Sequence, residues 1–229
     1  MKTNKNKELI DFLINIGKLK RKKRKGWTIL HKIKNSESTS DHIFRVAIFA
    51  WIFGREKKIN VERAIKMALV HDLCEVYAED QTPYDSLLPK DKDRKKIKEI
   101  IKKRSRPQYS KEEREKNIKE KFEKEIKGLN RLIAKLPNNL KSEILNLWID
   151  FEMRASKEAQ FVKQTDKMEN LLQALEYWQE QGQIQRDLWI ISAKEWCTDP
   201  LLIDVLNNID KKFSKKITKK SIKRSHKRK

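Results

Sequence analysis

Glycine and proline are scarce, five of each in 229 residues, and alternating β-branched runs are few. A chain short of turn formers but rich in Lys, Glu, Ile and Leu at helical spacing predicts an all-α protein, not a parallel sheet. Cysteine is scarcer still. Cys74 and Cys197 share neither a disulfide-like nor a metal-binding spacing, and MKTNKNKELI at the N-terminus lacks the apolar centre of a signal peptide. A reducing, intracellular, cytoplasmic location is therefore expected. No run approaches the roughly 20 apolar residues of a membrane span, so a soluble protein is expected. The length suits one domain with a sizeable core, plus tails.

Acidic residues are also in short supply, 33 Asp and Glu against 55 Lys and Arg, for a net charge of +22. Half of that excess lies in residues 211–229, which carry eleven Lys and Arg and no acid. The segment KKFSKKITKKSIKRSHKRK has little to bury, so residues 1–210 are read as the folded domain and 211–229 as a disordered basic tail. Such a tail is either plainly solvated or an arm for RNA, DNA or an anionic surface. A second basic run, KLKRKKRK at 18–25, lies inside the folded part and leads into Gly26 and Trp27.

Apolar periodicity predicts helices over Glu8 to Leu19, Asp41 to Phe53, Val61 to about Val76, Asn139 to Phe151 and Lys157 to about Gln179. Packing helices follow near Ile184 to Trp196 and Leu201 to Ile209. The run SESTS at 36–40, Asn60 and Ser156 supply N-caps, and Ser110 with Glu113 fits a capping box. The charged stretch from Lys90 to Leu136 contains a basic helical insert at about 91–121 and is broken at Pro107. Beyond that break it reads as an ion-paired helix with a thin seam of Ile118, Phe122, Ile126, Leu129 and Ile133.

Chemistry concentrates in AIKMALVHDLCEVYAEDQTPY, residues 64–84. His71 and Asp72 follow four apolar residues, and a continuous helix would set Glu75 on the same side as both. Burying such groups without partners is costly, and a divalent cation is the usual remedy, although an adjacent His-Asp pair alone is more often simply hydrogen-bonded. His42 lies on the stripe His42, Val46, Phe49, Phe53 and so points at the core, where a lone histidine is more often a satisfied core residue than a ligand. A short loop between the helices at 41 and 61 makes them antiparallel and brings His42 toward His71. Asp166 interrupts an apolar seam and calls for a metal or a basic partner. Asp80, past the end of its helix, reads as a turn residue.

The order H, HD, D is carried by GWTILHKIKNSESTSDHIFRVA, ALVHDLCEVYAEDQTP and LWIDFEMRASKEAQFVKQTDKMENLLQALEY. Over about Leu9 to Trp178 the chain resembles the HD-domain 5′-deoxynucleotidases, within the HD superfamily of metal-dependent phosphohydrolases. The resemblance implies an HD-domain helical bundle in which His42, His71, Asp72 and Asp166 bind a divalent transition metal (Mn, Co, Fe, Ni or Zn). It places Glu75 and Asp80 at the acidic catalytic positions, where some members hold a second metal, and Arg24, Trp27 and Ser38 at substrate-contacting positions. It implies hydrolysis of deoxyribonucleoside 5′-monophosphates by a homodimer. Core packing is an equal alternative for Trp27. Two departures stand out: Glu79 replaces a family glycine before Asp80, which would be strained at positive φ, and the segment at 91–121 is longer and more basic. Two other functions fit the residues, the same metal chemistry on another nucleotide or a nucleic-acid end, and nucleic-acid binding around a vestigial site.

Overall fold

The computed structural model describes residues 5–80 and 109–214, together with 82, 85, 93, 95, 96 and 99. Gln81, residues 91–108 of the insert apart from 93, 95, 96 and 99, and residues 215–229 lie outside the described residues. Helix α1 (Lys5–Ile16) passes into a 3₁₀ turn, Gly17–Lys20, and the basic run ends in one π-helical turn, Gly26–Leu30. Helix α2 (Thr39–Gly54) opens on a capping box between Ser38 and Asp41. Asn60 accepts from the Arg63 amide to start α3 (Val61–Val70).

Here the chain departs from expectation, because α3 stops at Val70 instead of reaching Val76. Asp72 turns to φ −108°, ψ 12°, and Leu73–Val76 forms a 3₁₀ turn. The cause is a competing donor. In an unbroken helix the His71 carbonyl would accept from the Glu75 amide; instead Trp148 Nε1 donates to it at 3.1 Å, and the Glu75 amide goes to Asp72 O. His71, Asp72 and Glu75 are thus presented by a tight turn.

Helix α4 (Lys111–Ile133) begins at the expected capping box of Ser110 and Glu113. It is followed by α5 (Asn138–Met153), α6 (Lys157–Gln181, capped by Ser156), α7 (Arg186–Trp196) and α8 (Pro200–Lys212). Among the described residues there is no strand, only an isolated bridge between Lys23 and Ser38. Helices α2 and α3 pair, α6 packs across both, α5 covers α3, and α4 lies over the Leu73–Val76 turn. Val46, Met67, Ala68, Trp148, Phe151 and Val162 form the centre of the first core, and α7 and α8 close a second one against α6. The seam of α4 starts at Phe122, since Ile118 is exposed. Phe213 is buried and Arg186 donates to its carbonyl, so the folded part extends past residue 210, the boundary expected from charge alone.

One glycine sets how closely α4 approaches the turn. A Cβ on Gly128 would lie 2.8 Å from the Cys74 carbonyl oxygen and 3.1 Å from the Ala78 nitrogen, both backbone atoms. Gly128→Ala is expected to destabilise the protein by about 1–3 kcal/mol through overpacking. A urea midpoint no lower than that of the wild type would contradict this contact.

Candidate metal centre

His42 stands near the start of α2, His71 and Asp72 follow the end of α3, and Asp166 lies on α6. His42 is wholly buried and His71 nearly so. Their Nε2 atoms lie 3.3 Å apart. Asp72 Oδ2 is 3.3 Å from His71 Nε2 and 3.7 Å from His42 Nε2, and Asp166 Oδ1 is 3.2 Å from His42 Nε2. The turn and two helices therefore bring together all four residues expected to act as ligands.

Each imidazole is oriented from behind. His71 Nδ1 faces the Ala68 carbonyl at 2.7 Å, and His42 Nδ1 faces the carboxylate of Glu169. Both partners only accept, so each Nδ1 carries a proton and both Nε2 atoms turn inward. Two Nε2 lone pairs at that distance repel unless a proton or a cation lies between them. Burial and Arg24 push the His42 pKa down, but Glu169 and Asp166 outweigh them and lift it to about 10. Asp72 is held well below the usual carboxylate range because His71, Arg24 and His42 overcome its burial. His42 likewise holds Asp166 low against its own burial. Two imidazoles and two carboxylates form a donor set that fits a divalent transition metal, and donor atoms of His42, His71 and Asp72 lie within 4.8 Å of one another. Glu37, His42 and Glu169 are equally close. There, however, Trp27 Nε1 donates to Glu37 and Arg45 Nε donates to Glu169, so this second group is a hydrogen-bonded support.

Arg24 enters the site itself. One arm, Nη1, donates to Asp72 Oδ2 at 2.7 Å and lies 3.9 Å from Glu75 Oε1; the other, Nη2, donates to Asn170. Three lysines of the basic run also find partners within the fold. Lys22 donates to the carbonyls of Glu75 and Ala78, Lys23 to that of Ser36, and Lys25 pairs with Asp85. Lys22, Lys23 and Lys25 brace the rim of the site, which leaves Lys18, Lys20 and Arg21 as the exposed remainder of the run.

Glu75 is buried, and its Oε2 accepts from Thr39 Oγ1 at 2.9 Å. Burial, Asp72 and Asp80 raise its pKa to about 8. Asp80 is fixed by the Lys25 amide, 2.7 Å from its Oδ2. Among the described residues positive φ occurs at Lys32, Asn35, Arg154 and Gly182 and not at Glu79, so the expected strain is absent. The other two residues matched to substrate contacts are enclosed. Trp27 stacks on Trp189 at 5.3 Å and meets Tyr177 edge-on, which is the packing role. Ser38 is buried, and its hydroxyl is engaged with Asp41 in the cap.

Glu169 was legible as part of the inner stripe of α6, yet its task was not. It is fully buried between His42 and Arg45, and the available signal was an acid in helical phase with apolar neighbours. Glu169→Gln is expected to weaken metal affinity by about 10–100-fold, the cost of losing a partner that orients a ligand. Titration of metal-stripped protein measures it, and unchanged affinity would contradict the orienting role.

Comparison with known proteins gives the family. The chain matches the HD domain family model over residues 16–193. It is 34% identical over 171 residues to 5′-deoxynucleotidase HDDC2 of Xenopus laevis, covering 75% of this chain and 70% of that protein. The human 5′-deoxynucleotidase HDDC2 is 32% identical over 171 residues, with 75% and 69% covered. A conserved hypothetical protein from Pyrococcus furiosus shares the fold with a TM-score of 0.63 at 23% identity, over 88% of this chain and 99% of that one. A match that runs from the end of α1 into α7 makes this chain a member of the HD-domain family.

Proposed function

We propose that this protein is a metal-dependent phosphohydrolase that converts deoxyribonucleoside 5′-monophosphates to deoxynucleoside and phosphate. The observation that carries the reading is the cluster of His42 Nε2, His71 Nε2 and Asp72 Oδ2, with Asp166 Oδ1 against His42, beside Glu75 and Arg24. The relatives named 5′-deoxynucleotidase support the substrate class. In this reading His42, His71, Asp72 and Asp166 hold a divalent cation, and Glu75 with Asp80 offers room for a second. Manganese, cobalt, iron, nickel and zinc all suit these ligands.

A bound ion supplies Lewis acidity toward phosphate and makes a nearby water more acidic. The chain's own residues do the rest. Glu75, with its pKa lifted toward working pH, accepts a proton from the water that attacks phosphorus. As the new P–O bond forms and the ester P–O bond breaks, the leaving 5′-oxygen takes up a proton. Thr39 holds the second oxygen of Glu75 and fixes the direction of transfer. Arg24 neutralises phosphate charge. Trp27 supports the site through Glu37. We read residues up to 214 as one HD-domain unit followed by a basic tail. No helix among the described residues is long and apolar enough to cross a membrane.

A nucleotide panel tests the substrate. Inorganic phosphate is expected from deoxyribonucleoside 5′-monophosphates ahead of ribonucleotides, with little product from triphosphates or cyclic nucleotides. Pyrophosphate or triphosphate release, or turnover of cyclic nucleotides alone, would contradict it.

A further inference from the structure

Asn170 stands one turn beyond Asp166 on α6 and is partly buried. Its Nδ2 donates to Asp166 Oδ1 at 3.1 Å and to the Asp166 carbonyl at 3.0 Å, while its Oδ1 accepts from Arg24 Nη2 at 3.2 Å. A guanidinium only donates and a carboxylate only accepts, so the amide fits between them one way round. Asn170 therefore couples Arg24 to one carboxylate of the site. The other arm of Arg24 rests directly on the second, Asp72 Oδ2.

The two arms differ in what competes for them. Asp72 Oδ2 also lies 3.3 Å from His71 Nε2, so a cation held by these two residues would compete with Arg24 for that oxygen. The contact with Asn170 uses a separate arm, and Asn170 is also held by the Asp166 carbonyl. An arginine is long and flexible, and one fixed arm keeps its planar donor fork aimed at the site. We propose that Asn170 is a positioning residue for phosphate recognition. It anchors Nη2 so that Nη1, once released from Asp72, faces the phosphate of a nucleoside monophosphate. The inference rests on the hydrolytic reading above.

The test uses full-length, manganese-loaded Asn170→Ala protein, a substitution that favours helix, with deoxyadenosine 5′-monophosphate as substrate. At saturating manganese KM is expected to rise about tenfold, the scale of one lost hydrogen bond to a charged group, with kcat within about twofold. Equilibrium dialysis of inorganic phosphate against the loaded protein should show a similar loss of affinity. In an Arg24→Ala background the same substitution should change KM by less than about twofold, because a positioning residue has nothing left to position. An unchanged KM, or an equal rise in the Arg24→Ala background, would overturn the proposal. If the wild type releases no phosphate, the nucleotidase reading fails. Dialysis then decides: equal phosphate binding by wild type and Asn170→Ala overturns the role of Asn170, and weaker binding by the variant upholds it.

Discussion

His71→Ala protein is expected to retain no metal through desalting and to lose phosphate release by at least about 10³-fold, the scale on which removed catalytic machinery is felt. The ring has no substitute. Its Nδ1 is anchored on the Ala68 carbonyl, its ring centroid lies 5.1 Å from that of Phe151, and its Nε2 meets His42 Nε2 and Asp72 Oδ2 at the centre. Truncating a buried ring also leaves a cavity that costs a few kcal/mol, by analogy with about 2–5 kcal/mol for large-to-alanine changes in cores. Asp166→Ala separates the two effects, since that carboxylate is partly exposed and removes a ligand position without emptying the core. Metal content by elemental analysis and phosphate release together check both variants. Full activity in metal-free His71→Ala protein would remove the proposed mechanism.

Glu75→Gln should keep the metal and lose kcat by about 10²–10⁴-fold, the range for a general base. It should also change how stability depends on pH in metal-stripped protein. The ordinary pKa of a glutamate is taken as 4.5, and burial with Asp72 and Asp80 lifts that of Glu75 to about 8 in the fold. Between those values the folded form keeps a proton that the unfolded form has lost, so stability falls as pH rises through that window. Burial and Glu169 raise Glu37 to about 7, and burial raises Glu125 to about 7, with the same sign. The decline in Glu75→Gln is therefore shallower than in the wild type, by on the order of a few kcal/mol between pH 5 and 8, but not abolished. Urea midpoints across that range measure it. Identical slopes in the two proteins would show that Glu75 is not a buried acid of this kind.

What the sequence made legible was local or periodic. Asn60, Ser110 with Glu113, and Ser156 announce their helices because a cap is decided within four residues. The stripe through His42 turned that ring inward, and the short connection to α3 brought it to His71, as the Nε2 contact records. What stayed hidden depends on distant partners. Nothing near Val70 announces the end of α3, because the donor that takes the His71 carbonyl is Trp148, 77 residues away. Charge counting could not show that Lys22 is directed at carbonyls 53 and 56 residues along the chain. A lysine facing solvent and one bracing a loop look alike in composition. The same limit hid the tasks of Glu169 and Asn170, whose meaning comes from His42 and Arg24 on other elements.

The most direct test of the account is phosphate release from deoxyribonucleoside and ribonucleoside 5′-monophosphates by metal-stripped protein, with and without added manganese or cobalt, beside Asp166→Ala. The account predicts release that requires the added metal and is absent from Asp166→Ala. Release by the stripped protein without metal, or equal release by Asp166→Ala, would contradict a metal-dependent site built on His42, His71, Asp72 and Asp166.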